Sequence, residues 1–325
     1  MSLPRFAQPT LRRGALFLIA IGVPLCVGVV LREPAGALLG CICGLLFSFA
    51  DDDQRLRRRF VALGLAAVGL GAGGVAGILL HGFAWPVWPL FVGAVFATGQ
   101  FNRFGRAPVT AARFFAMALV VTSGAPELSL AIAWYPLLAF VTAAVARLVD
   151  HVLFGPISAR PAAARSAPLG GWTRFALAYA AAAAVSLWIG ISIDPSRALW
   201  VVVTTLMVMQ SDARTSYVRI VQRVTGTVLG VAAAFALTIW LSAPWLIALA
   251  ILLIAPLIPH HLQQRYWLHT MLIAILVLLA YHLAAADLRI MRGLFSERLE
   301  DVLLGAGIAL IGTMIAFPRM PVAKA

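Results

Sequence analysis

The sequence predicts an all-α, polytopic transmembrane helical bundle of about 12 helices, arranged as two parallel six-helix repeats. Three observations carry this. Hydrophobic residues make up 62% of the 325 residues and charged residues only 11%, whereas about a quarter of a soluble domain is charged. The apolar runs are continuous rather than alternating, which favours helices over the strands of a barrel. The basic residues, 24 of 25 of them Arg, cluster in alternate connectors, as they do when cytoplasmic loops retain Lys and Arg.

Taken in order, the first six apolar segments lie near 14–31, 35–50, 60–80, 86–101, 109–124 and 128–149. The second six lie near 174–193, 197–210, 222–241, 244–259, 267–285 and 299–317. The first follows Arg12-Arg13 like a secretory signal. Further spans follow at once, so it is read as a retained helix. The pair 109–124 and 128–149 is separated only by the brief interruption at Pro126 and Glu127. Cys26, Cys41 and Cys43 all fall in apolar runs, which predicts buried thiols rather than a disulfide framework or metal site.

With the amino terminus inside, 20 of the 25 basic residues fall on the cytoplasmic side with five acids, among them Asp51, Asp150 and Asp212. Arg32, Arg197, Arg289, Arg292 and Arg298 fall outside with seven acids. The net charge of +13 is therefore topological and gives no reason to expect nucleic acid as a partner. Both termini are expected in the cytoplasm.

The halves repeat. Pro34 stands 17 residues before Asp51, and Pro195 stands 17 before Asp212, an offset of 161. Each Pro opens a short apolar run, and each Asp opens an Arg-containing connector followed by a Gly-rich helix. Both connectors lie on the Arg-rich side, so the repeat is parallel. The predicted division is a first repeat over 1–154, a cytoplasmic linker over 155–171 and a second repeat over 172–325. The linker, rich in Pro, Gly, Ala and Ser, reads as flexible.

The stretch from Ser196 to Gly230 is the most informative. Trp200, Thr204-Thr205, Asp212, Arg223, Gly226-Thr227 and Gly230 resemble the core pattern of the fusaric acid resistance-like family, which includes the aromatic acid exporters. Arg298-Leu299, Asp301 and Gly305 resemble its closing pattern. The resemblance covers 172–317 well and 1–150 thinly. It implies export of small organic acids, aromatic ones among them, from a bacterial inner membrane. It also implies a periplasmic adaptor and an outer-membrane channel as partners, beside membrane lipid; self-association stays open. Larger relatives carry sizeable cytoplasmic domains, which this chain lacks.

The residues themselves offer two kinds of site. Segments 35–50 and 197–210 are too short for a hydrocarbon core of about 30 Å. Short segments at matching positions of two repeats point to a transport site; a tilted neighbour or local bilayer thinning explains them equally. On the second lie Thr204, Thr205 and Gln210, which can bind a ligand or satisfy a neighbouring helix. Trp200 can stack on an aromatic ring or anchor the helix at the interface. For coupling or gating, Asp212 with Arg223, Arg298 with Asp301, and Asp51 are the candidates, because charges entering membrane helices often mark a pathway. Asp51 beside Arg55 to Arg59 reads as an exposed cluster, and Arg147-Leu148-Val149-Asp150 reads as a chance echo of the Arg298 pattern. A bend between Ser211 and Tyr217 is expected, with Asp212 capping the following helix. The histidines read as interfacial, and no metal site or cofactor is expected. No Walker A motif, nucleophile elbow or His-Glu-x-x-His pattern appears, so ATP-driven transport and enzymatic chemistry are disfavoured. The remaining alternative is a non-transporting scaffold or a lipid-acting enzyme subunit.

Overall fold

The computed structural model describes residues 9–51, 55–124, 132–156, 171–195, 197–241, 243–261, 265–285 and 288–317. Those residues form helices joined by short connections. The first half holds α1 (Pro9–Val30), α2 (Pro34–Phe49), α3 (Leu56–Leu79), α4 (Ala84–Phe101), α5 (Arg106–Gly124) and α6 (Trp134–Phe154). The second holds α7 (Gly171–Ile193), α8 (Ala198–Val208), α9 (Ala213–Trp240) and α10 (Pro244–Ile254). α10 continues through a tight turn, Ala255–Leu257, into one more helical turn, Ile258–His261. The last two are α11 (Tyr266–Ala285) and α12 (Leu288–Ala316). Eight of these are long and apolar enough to cross a membrane, and α2, α8 and the α10 segment are shorter apolar helices.

Three boundaries depart most from the sequence reading. α9 begins at Ala213 rather than near 222, because Asp212 caps it and the Arg-rich connector is itself helical. α12 begins at Leu288 rather than near 299, so Arg298 and Asp301 lie well inside it, Asp301 close to its middle. α6 begins at Trp134 rather than near 128. The region around Pro126 and most of the 155–171 linker lie outside the described residues, as do Asp52 and Asp53.

The chain divides into two compact units. Unit 1 comprises residues 1–67, 127–162 and 225–299; unit 2 comprises 68–126, 163–224 and 300–325. Each takes helices from both sequence halves. In unit 1 the α1–α2 hairpin packs with α6, α10 lies on α1, and α11 on α2. In unit 2 the α7–α8 hairpin packs with α4 and α5 in the same pairing: α4 on α7 and α5 on α8. The offset of 161 residues carries α1 to α7, α2 to α8, α4 to α10 and α5 to α11.

Small residues set these contacts, as expected where helices meet without a hydrophobic driving force between them. A Cβ on Gly28 would lie 2.6 Å from Ala37 Cα; on Gly190 it would lie 2.6 Å from Ala198 Cα. Both hairpins therefore close on a glycine. Gly69, Gly73 and Gly77 of α3 lie against the α5 backbone at Ala111, Phe115 and Leu119. Gly226 and Gly230 of α9 lie in the same way against Trp267 and Met271 of α11. Of the cysteines, Cys41 and Cys43 are buried as expected, but Cys26 is exposed.

Candidate functional site

In unit 2, α8 is buried on nearly every face from Val201 to Met209. Its 11 residues extend about 16 Å at 1.5 Å per residue, about half the hydrocarbon thickness. The last carbonyls of a helix have no partner within it, so a helix end inside a bundle demands substitutes. Here side chains supply them. Tyr179 on α7 donates its hydroxyl to Leu206 O at 2.8 Å. The Gln210 amide donates to Met207 O at 3.0 Å and to Met209 O at 3.1 Å. Met209 itself turns to φ −74, ψ 119 and leaves the helix. The chain re-enters helix at Ala213. There Asp212 accepts the backbone N–H and the hydroxyl of Thr215, both at 2.7 Å, which is N-capping by a carboxylate. Ser216, two residues into the next turn's buried face, receives the Gln210 N–H at 2.8 Å.

Arg113, on α5, lies against this helix end. Its Nη2 donates to the Tyr179 hydroxyl oxygen at 3.3 Å and its Nη1 faces Met207 Sδ at 3.7 Å. It stands seven residues inside α5, about 10 Å from the helix start. The charge count placed it among cytoplasmic helix ends; its depth corrects that.

The predicted ligand-binding residues divide. Thr204 and Thr205 are fully buried. Thr204 Oγ1 donates to Trp200 O on its own helix at 3.0 Å. Thr205 meets Ser186 Oγ at 2.7 Å and Gly305 O at 3.1 Å, so its hydroxyl joins α8 to α7 and α12, whereas that of Thr204 stays within α8. Trp200 is half-buried at the first turn of α8, and Gln210 holds the break.

Among the predicted coupling residues, Asp212 is exposed and serves as a cap. The bend that frees it falls at Met209–Asp212, at the near edge of the expected stretch, and α9 is helical through Tyr217. Arg223 is 6% exposed, and among the described residues it meets no carboxylate; its Nε has no hydrogen-bond partner. Arg298 is buried on α12. Asp301, 2% exposed, accepts Arg197 Nη2 at 2.9 Å, and the same nitrogen reaches Glu300 at 2.8 Å. This pair fastens the α8 entrance to α12.

Asp51 departs most from expectation. It is not an exposed cluster but part of a buried network in unit 1. Arg59, fully buried, donates to Asp51 Oδ1 and Oδ2 at 2.9 and 2.8 Å and to Asp150 Oδ2 at 2.8 Å. Arg12 donates to Asp150 through Nε at 2.7 Å and Nη2 at 3.0 Å. Arg147 caps α2 through Phe47 O at 2.7 Å and stands 3.5 Å from Asp51. Arg147 and Asp150, read in the sequence as a chance echo, are thus central. The starts of α1 and α3 and the ends of α2 and α6 meet here, which pairwise ionic bonds explain and motif spacing does not. Two histidines also depart from an interfacial reading. His269 and His282 are buried, with ring nitrogens 3.0 Å from Ile258 O and 3.3 Å from Leu241 O.

A chain whose described residues are almost wholly helical, with eight apolar helices of spanning length, is a multi-pass membrane protein. Residues 177–312 match the family model described as fusaric acid resistance protein-like, and the matched region holds α8 and the break after it. Neither the curated proteins nor the solved structures gave a match.

Proposed function

We propose that the chain exports small organic acids, aromatic ones among them, across a bacterial inner membrane, driven by an ion gradient. The carrying observation is the interrupted helix α8, whose end is held by Tyr179 and Gln210 inside unit 2. Broken helices within a bundle expose backbone dipoles and polar side chains where a substrate can be received. The match of residues 177–312 supports the class of substrate. Trp200 and Gln210 border the two ends of α8 and are the residues assigned to substrate. The fully hydrogen-bonded Thr204 and Thr205 support it. Coupling is assigned to the buried pairs that an ion or gating step would have to break: Asp301 with Arg197, and Asp51 with Arg59. Arg298, Asp212 and Arg223 belong to the same proposal. A periplasmic adaptor and an outer-membrane channel would complete the path.

Both termini are assigned to the cytoplasm. The charge distribution supports this, while the exposed Trp85, Trp134, Trp188, Trp240 and Trp245 mark a membrane interface without choosing its side. All five lie near helix ends opposite the Arg-rich connectors, where interfacial Trp anchors. The test is growth of a deletion strain against a panel of aromatic acids, with efflux measured on complementation. Unchanged tolerance and efflux across the panel would favour a non-transporting scaffold, a reading that the packing role of the Thr204 and Thr205 hydroxyls also accommodates.

A further inference from the structure

Arg113 is a guanidinium two turns inside a spanning helix, and among the described residues its contacts contain no carboxylate. Arginines within membrane segments ordinarily pair with acids or line a pathway. Several other arginines obey the first rule: Arg12 and Arg59 hold Asp150, Arg59 also holds Asp51, and Arg197 holds Asp301. Arg113 has five N–H donors. One reaches the Tyr179 hydroxyl and one a thioether, itself a weak acceptor. Its Nε is buried and has no acceptor. The Tyr179 hydroxyl has already given its hydrogen to Leu206 O, so it offers Arg113 a lone pair and fixes the fork in place. Arg113 and Met207 are both half-buried, which leaves an accessible edge beside a soft sulfur. An Arg fork matches a carboxylate in two parallel bonds, and a thioether packs favourably on an aromatic ring.

We infer that Arg113, oriented by Tyr179 and flanked by Met207, binds the carboxylate of a small aromatic acid at the end of α8. This rests on the export reading and names the anchor within it. The competing role is structural: a cation that complements the negative end of a helix and reaches it through Tyr179. The two roles part when each residue is changed. As an anion anchor, Arg113 cannot be replaced by a neutral residue. As a helix brace, Arg113→Gln and Tyr179→Phe would do equal damage.

The test uses the full chain reconstituted in proteoliposomes, with radiolabelled benzoate as the probe and benzamide as its neutral competitor. The wild type is expected to bind and move benzoate, with benzamide competing weakly. Arg113→Gln is expected to lose benzoate affinity by roughly 10–100-fold, the range for a lost charge-assisted contact. Arg113→Lys should retain part of it, and Tyr179→Phe should lose less than Arg113→Gln. Equal benzoate affinity in wild type and Arg113→Gln would overturn the inference and leave the export reading standing. No benzoate movement by the wild type would overturn both. Should the Arg113 variants fail to fold, phenylglyoxal labelling of the wild type decides. Benzoate should protect Arg113 from modification in the peptide map, and labelling that benzoate leaves unchanged would refute the anchor.

Discussion

Arg12 holds Asp150, 138 residues away, in a fork: Nε to Oδ1 at 2.7 Å and Nη2 to Oδ2 at 3.0 Å. The same arginine donates to Gly155 O at 2.7 Å, so the start of α1 also caps the end of α6. Asp150 is then bound a third time by Arg59. One carboxylate fixes three helix ends.

Removing it should therefore be costly. Asp150→Ala leaves two arginines buried without their shared acceptor, which corresponds to a loss of about 3–5 kcal/mol for breaking a buried ion pair from one side. Thermal unfolding of the purified protein in detergent should show a large drop in midpoint. A midpoint within a degree of wild type would mean that water replaces the carboxylate.

The glycine seam of α9 should tolerate no bulk. Gly230→Val places two methyl groups against Met271 O and Ala274 Cβ, where a single Cβ would already lie at 2.7 Å from each. Overpacking of this kind costs about 1–3 kcal/mol. The expected result is lower yield of folded protein on size-exclusion chromatography, while Gly64→Val, at a position where nothing lies within 4 Å, should behave as wild type. Equal yields would show that α9 and α11 can separate at little cost.

Because each compact unit takes helices from both halves, neither half should fold alone. Residues 1–162 expressed by themselves should be degraded or protease-sensitive in membranes, and co-expression with residues 163–325 should restore resistance. A protease-resistant amino-terminal half on its own would refute this.

Arg223 is buried and Arg214 exposed. Arg223→Ala should impair efflux of an aromatic acid more than Arg214→Ala at matched membrane levels. Equal efflux from the two variants would reduce the Arg-rich start of α9 to an orientation signal.

A phosphatase fused after Ala163 should be inactive, because the reporter works only outside the cytoplasm and the Arg-rich connectors place that linker inside. High activity there would reverse the assigned orientation.

Sequence alone determined the class and the periodic skeleton. Continuous apolar runs at low charge permit only spanning helices, since unsatisfied backbone groups have no place in hydrocarbon. The offset linking Pro34 and Asp51 to Pro195 and Asp212 marked both short helices. The SDART stretch marked the cap, because a carboxylate before a helix can satisfy its free N–H groups from local spacing alone. What only the tertiary structure decided is which distant groups meet. Asp51 read as exposed because its neighbours in sequence are charged; its partners Arg59 and Arg147 enclose it from two other helices. Asp301 lay beside Arg298 in sequence, yet Arg197 reaches it across 104 residues. Arg113 carried no motif at all. It became a candidate only when folding set it beside the Tyr179 hydroxyl and the end of α8, with no acid among the described residues to neutralise it. Local chemistry is written in spacing, whereas charge compensation is set by contacts between helices, and no periodicity encodes those.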